Sequence, residues 1–196
     1  NVSQKVEIIV EHFRNNTQHK IGGKAKAMIV TSSRSHAVRY KKAIDEYIEE
    51  NSYDLSALVA FSGTVEDDGQ SYTEEGMNDG IHKSELPNAF DSQAHQILVV
   101  ADKYQTGFDQ PLLHTMYVDK KLSGIQAVQT LSRLNRTHPG KEDTFVLDFE
   151  NEQSEIKEAF EPFYGKTTVT EETDPQHLQQ LASEVRSFRI FDQSTV

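Results

Sequence analysis

The chain has 196 residues, enough for one domain with a proper core. Its hydrophobic fraction is 36%, and no run approaches the roughly 18 uncharged apolar residues of a membrane-spanning helix, which excludes that class. With no cysteine, a disulfide scaffold, a thiolate metal site and a cysteine nucleophile are excluded together, as expected for a chain working in the reducing cytoplasm. The formal net charge of -11 argues against indiscriminate binding to nucleic acid.

The acid is unevenly spread. Residues 65–97 carry 8 acidic and 1 basic side chains, and residues 142–196 carry 13 and 4. Residues 1–64 carry 9 basic against 7 acidic, and residues 98–141 carry 6 against 3. A near-neutral or basic working face therefore remains open to the two less acidic stretches. The sequence opens mid-pattern, without an initiator Met or an apolar leader, and reads as an excised piece of something longer.

In chain order, residues 1–15 read as a helix. Residues 26–31 (KAMIVT) form the first strand, and 35–50 a second helix with Ala37, Tyr40, Ile44, Tyr47 and Ile48 at helical spacing and Ser33 or Ser35 as N-cap. Residues 57–61 (ALVAF) make a second strand. Residues 64–90 have no usable period and read as a long acidic loop holding one short helix at most. Strands follow at 96–101 (QILVVA) and 114–119 (HTMYVD), then a helix at 123–135, a strand at 144–149 (TFVLDF) and a helix at 152–163. Continuous rather than alternating apolarity marks strands covered on both faces. The expected fold class is α/β, a three-layer α/β/α domain around a mostly parallel sheet. Beyond Phe163 a polar stretch reads as a linker, and 178–188 as a helix without a core of its own.

The helix at 123–135 carries the most chemistry. At about 100° per residue, Ala127, Val128, Leu131 and Leu134 fall on one side, and Gln129, Ser132, Arg133 and Arg136 on the other. Two guanidiniums near one another present forked donors that match phosphate oxygens, although a solvated polar face would show the same spacing.

Gln129-Thr130-Leu131-Ser132-Arg133-Leu134-Asn135-Arg136 resembles the sixth motif of superfamily 2 helicases, with Ser132 where Gly is usual. Ala101-Asp102-Lys103-Tyr104-Gln105-Thr106-Gly107-Phe108-Asp109 resembles the fifth motif, and Met28-Ile29-Val30-Thr31-Ser32-Ser33-Arg34 the fourth. Together they point to the second RecA-like domain of such a motor. The wording of FDQPLLHTMYVDKKLSGIQAVQTLSRLNRTHPGK is closer still to the motor (restriction) subunit of type I restriction endonucleases, over roughly residues 1–165.

That resemblance implies a half-motor that closes on ATP and Mg2+ held mainly by a first RecA-like domain. Arg136 and Arg133 would meet the γ-phosphate as catalytic arginines; Gln129, Gly107 and Asp109 would complete the ATP side. Thr31, Ser32, Ser33, Arg34, Gln105 and Thr106 would grip the backbone of double-stranded DNA without reading bases. Methylase and specificity subunits are the implied partners, and a separate nuclease domain would cut the DNA. Residues 1–165 would be the motor domain and 166–196 a linker with the start of a following helical domain.

No metal site of the chain's own is expected. The eight His show no metal spacing, and Asp148 with Glu155 and Lys157 fails the nuclease layout because the latter two fall in a helix. Gly22-Gly23-Lys24 precedes a strand and so cannot be a P-loop. Without a P-loop, a Mg2+-binding carboxylate motif or a nuclease domain, the isolated chain is expected to be inactive. Another superfamily 2 helicase or remodelling ATPase is an alternative, as is a flavodoxin-like signalling module. The module should show an acidic phosphoacceptor cluster or a Gly-rich first loop, and neither is present.

Overall fold

The apolar runs become the strands of one sheet in a computed structural model that describes residues 1–104 and 108–164. The elements are α1 (Val2–His12), which runs into a π-helical turn (Phe13–Thr17), α2 (Lys20–Gly23), β1 (Lys26–Thr31), α3 (Arg34–Glu50), β2 (Ala57–Ala60), β3 (Thr64–Asp67), β4 (Gln70–Thr73), α4 (Glu74–Met77), α5 (Leu86–Asp91), β5 (Ile97–Val100), β6 (Leu113–Asp119), α6 (Gly124–Leu131), a 3-10 turn (Ser132–Asn135), β7 (Phe145–Asp148) and α7 (Gln153–Tyr164). The expected tail helix at 178–188 lies outside the described residues.

The sheet order is β2-β5-β1-β6-β7, with every pairing parallel. Successive side chains of a strand point to opposite faces, so a strand buried on both sides is apolar except where a polar side chain finds a buried partner. Every residue of β1 is buried. Ala27 and Ile29 join Val59, Val99 and Tyr117 beneath α1 and α3, against Val6, Ile9, Tyr40 and Ile44. Met28 and Val30 join Leu98, Val100, Met116 and Val118 on the other face, against Phe90, Ala127 and Ala159. The three-layer α/β/α arrangement expected from the sequence is present.

Two expectations need correction. Residues 64–90 are structured: β3 and β4 form an antiparallel hairpin, followed by α4 and α5. The hairpin escapes notice because its strands are four residues each and β4 buries almost nothing. This insert seals the outer edge of the sheet at β2. The Asn78 amide donates to the Val59 carbonyl at 2.7 Å and accepts from the Val59 N–H at 2.9 Å, standing in for a neighbouring strand. The Glu74 carboxylate accepts from the Phe61 N–H at 2.8 Å. Arg39 of α3 grips Asp67 of the hairpin through Nε and Nη2, which holds the buried Asp67 carboxyl below its usual value.

The second correction concerns the helix expected over 123–135. The α-helix stops at Leu131, tightens into a 3-10 turn, and releases Arg136 in extended conformation at φ -75° and ψ 129°. A single wheel at about 100° per residue therefore does not describe Arg133 and Arg136.

His12 anchors the end of α1 on the other edge of the sheet. Its Nδ1 lies 2.8 Å from the Tyr117 hydroxyl and its ring stacks on Phe145 at 4.5 Å. Burial, with a smaller contribution from His114, pushes its pKa from 6.5 down to about 4.

Both features generate tests. Asn78→Ala leaves a buried donor and acceptor of Val59 unmatched and should cost about 2–4 kcal/mol in denaturant unfolding; a loss under about 0.5 kcal/mol would show that the edge does not need the amide. Because folded His12 binds a proton less readily than the unfolded chain, stability should fall as pH drops from 6.5 toward about 4. His12→Gln should shrink that drop, read as the difference between unfolding midpoints at the two ends of the window.

Candidate functional site

All five parallel strands end at the same edge; Ser32, Ser33 and Arg34 follow β1 there, whereas Gln129 lies in α6 and Arg133 and Arg136 in and just after the 3-10 turn that leads toward β7. After β1, Ser33 caps α3 by accepting from the His36 N–H at 3.1 Å. Ser32, Ser33 and Arg34 are all exposed at this turn. Arg34 reaches across to the Ser62 carbonyl beyond β2 at 2.8 Å. Gly63, at φ +74°, makes room for it: a Cβ there would sit 3.1 Å from Arg34 Nη1.

Thr31 differs from its neighbours. It is fully buried, and its hydroxyl faces the Val100 carbonyl at 3.0 Å and the Ser33 carbonyl at 3.2 Å. Its side chain holds the turn between two strands rather than facing a ligand, which corrects the expectation of a direct DNA contact.

After β5 the chain enters a turn with Asp102 at φ +60° and Tyr104 at φ +62°. Left-handed backbone at non-glycine residues is strained and must be held by its surroundings. Lys103 does so, donating to both oxygens of Glu74 at 2.6 and 2.7 Å, and Lys120 pairs with Asp102 at 2.7 Å. Glu74 therefore ties the insert to the β5 loop. Gln105, Thr106 and Gly107 lie outside the described residues.

The arginines converge just beyond that loop. Arg133 Nη1 donates to the Phe108 carbonyl at 2.8 Å, and Arg136 Nε donates to Asp109 Oδ1 at 2.9 Å. Burial, then the charge of Arg136, pushes the pKa of Arg133 below the ordinary guanidinium value. Arg136 stays in water, 51% exposed against 68% for Asp109. Two anchors fix this segment: Leu134 is buried in the core, and Lys141 Nζ donates to the carbonyls of Leu134 and Arg136, both at 2.8 Å. Gln129 is exposed on α6, on the turn preceding the two arginines.

The sequence reading missed a charged knot at the end of β6. Asp119, whose side chain is 2% exposed, accepts from Lys5 Nζ at 2.6 Å and from the Tyr40 hydroxyl at 2.7 Å. His36 Nε2 lies 3.6 Å away, and its Nδ1 is 2.9 Å from Ser32 Oγ. Burial opposes the charge on Asp119, but Lys5 and Tyr40 outweigh it and hold the carboxyl below its usual value. Lys141 and Glu74 were missed as well. The i, i+4 spacing of Ser32, His36 and Tyr40 was the available signal; the partners on α1 and β6 are too distant in sequence to suggest themselves. Among the described residues no three His, Asp or Glu side chains are grouped to hold a metal ion, and no helix is long and apolar enough to cross a membrane.

With this geometry in place, comparison with known proteins is informative. Residues 80–151 match the family described as type I restriction enzyme subunit R domain 3. The chain is 29% identical over 164 residues to the type I restriction enzyme MjaVIIP endonuclease subunit of Methanocaldococcus jannaschii, covering 75% of this chain and 15% of that protein. It is 25% identical over 154 residues to the type I restriction enzyme HindI endonuclease subunit of Haemophilus influenzae, covering 73% and 14%. The chain thus spans about one seventh of the relatives it matches. In fold it resembles domain 2 of the DEAD-box helicase Mss116p bound to an RNA duplex, with TM-score 0.55, 18% identity and coverage of 94% of this chain and 66% of that one. It also resembles a fragment of an HsdR subunit of a type I restriction enzyme from Vibrio vulnificus, with TM-score 0.50, 14% identity and coverage of 83% and 29%. Sequence and fold point the same way: residues 80–151 match a domain family of type I restriction enzyme R subunits, and the three-layer sheet has the RecA-like α/β fold of these solved structures.

Proposed function

We propose that this chain is the second half of an ATP-driven DNA translocase within a type I restriction enzyme R subunit. It would supply Arg133 and Arg136 to the nucleotide and the β1–α3 turn to the DNA backbone. The observation that carries the reading is the convergence of the two arginines on consecutive residues, Phe108 and Asp109, in the segment that leads from β5 to β6. Two guanidiniums brought to one point from either side of a helix break suit an anion better than a solvated surface.

The residues present fit a triphosphate. Arg136 has half its side chain in water with Nε on Asp109, so its forked end is open to an arriving phosphate. Arg133, half-buried and fixed by a main-chain carbonyl, holds a second positive charge behind it. ATP, when bound with Mg2+ on the first RecA-like domain, supplies the energy-yielding phosphoryl transfer. This chain's part is electrostatic: it brings positive charge to the γ-phosphate when the halves close. Gln129 and Gly107 would line the same cleft. Alone, the chain should turn over no ATP.

The DNA side rests on Ser32, Ser33 and Arg34, exposed together where α3 begins, with Gln105 and Thr106 as further backbone contacts. Hydroxyls, main-chain N–H groups and one guanidinium hold phosphates without sensing sequence, as a moving motor requires. Thr31 supports them from behind. Residues 1–165 would form this motor domain and 166–196 the entry to a helical one. Methylase and specificity subunits would choose where the enzyme loads, and a separate nuclease domain would cut.

Arg136→Ala in the full-length subunit should lower DNA-stimulated ATP turnover by roughly 10² or more. Arg136→Lys should fail nearly as badly, because it keeps the charge but loses the fork. Thermal stability should move by less than about 0.5 kcal/mol for either, since an exposed ion pair contributes little. Normal turnover, or a large loss of stability, would make Arg136 a structural tie. On the DNA side, Arg34→Ala should weaken binding equally for unrelated duplexes and reduce the slope of log affinity against log salt by about one. A loss confined to particular sequences would remove the β1–α3 turn from the backbone grip.

A further inference from the structure

The hydrogen-bond direction between Ser32 and His36 depends on the protonation of the imidazole, and the surroundings determine how. The Asp119 carboxylate, held charged by Lys5 and Tyr40, faces His36 Nε2 at 3.6 Å. A nitrogen lone pair turned toward a carboxylate is repelled, so neutral His36 keeps its proton on Nε2. Its Nδ1 is then an acceptor, and the Ser32 hydroxyl 2.9 Å away must donate to it. In that state Ser32 offers only lone pairs to the exterior, which repel an anion. A second proton, on Nδ1, reverses the bond: Nδ1–H donates to Ser32 Oγ, and the hydroxyl hydrogen turns outward.

We propose that His36 is a positioning residue that couples DNA-phosphate binding at Ser32 to proton uptake. The inference rests on the reading of the β1–α3 turn as a DNA-backbone contact. A phosphate arriving at Ser32 requires the outward-donating hydroxyl and is itself negative, so it favours the doubly protonated ring on both counts. The binding equilibrium then contains one proton.

The groups facing His36 come from four elements. Lys5 on α1 and Arg39 on α3 oppose its positive charge, while Asp119 on β6 and Glu150 after β7 favour it, and the Tyr40 ring packs against it at 5.1 Å. Burial is the largest influence and lowers the pKa from its ordinary value. The free protein therefore presents the neutral ring at neutral pH, and the proton is taken up with the phosphate.

The test is binding of a generic duplex by the full-length subunit at constant ionic strength between about pH 6 and 8, read by fluorescence anisotropy. Wild-type affinity should rise as pH falls, by at most tenfold per unit for one linked proton. His36→Gln, which offers an amide donor to Ser32 at every pH, should flatten the profile while folding normally by thermal unfolding. Ser32→Ala, at an exposed position, should flatten it too and bind more weakly at the acidic end. An unchanged slope in both variants overturns the inference. If Arg34→Ala still weakens binding, the DNA-contact reading survives that failure. If Arg34→Ala, Ser32→Ala and His36→Gln all leave affinity unchanged, the turn does not touch DNA and both readings fall.

Discussion

A parallel sheet buried on both faces constrains everything else in this molecule. Its strands run in one direction, so each must be followed by a connection that crosses a face and returns to the opposite edge. Helices α3, α5 and α6 lie in those connections, and α1 and α7 flank the sheet before β1 and after β7. Their packing on both faces explains why the strands are predominantly apolar. The same arrangement collects the exits of β1, β2, β5 and β6 at one edge. Polar groups gathered there need no chain of their own to bring them together. The buried Thr31 illustrates how tightly that edge is tied, since its hydroxyl joins the last turn of β1 to the end of β5.

What the parallel sheet does not provide, the insert adds. An exposed edge strand is an open row of donors and acceptors. At β2 the edge is closed by one amide, that of Asn78, and one carboxylate, that of Glu74. Glu74 also receives Lys103, so the element that seals the edge braces the strained loop between β5 and the arginine anchor points. The acidic character of this stretch, read from the sequence as loop composition, is partly spent on these two internal contacts and on Asp67, which holds Arg39.

The strands were legible because double burial leaves continuous apolar runs, and β1 is found over the same six residues that its pattern marks. Helix α3 was legible from its period, and of the two candidate caps, Ser33 and Ser35, Ser33 is the one that serves. The β3–β4 hairpin was not legible, because its strands are four residues each, β3 alternates in burial but buries Asp67 as well as Val65, and β4 buries almost nothing. The break after Leu131 was equally hidden: a 3-10 turn keeps helical composition while rotating its side chains differently. For the site, residue types near the motifs could be named in advance, but their supports could not. Lys5, Asp119 and Lys141 act across long sequence separations, and no local pattern announces a carbonyl that a lysine will bind.

The break also bears on how two arginines three residues apart can do different work. Within one straight helix they would project from neighbouring points of one surface with similar freedom. Here Arg133 stays in the 3-10 turn, half-buried and bound to the Phe108 carbonyl, while Arg136 leaves on extended backbone and meets Asp109 in solvent. An exposed ion pair is worth about 0–1 kcal/mol, so Arg136 can exchange its carboxylate for a phosphate at little cost. Arg133 has no such freedom, because leaving Phe108 would strand a carbonyl beside a buried ring. On the proposed reading, the fixed guanidinium shapes the positive field and the loose one moves into it. Lys141 underlies the difference by tying down the Arg136 main-chain carbonyl while the Arg136 side chain stays in solvent.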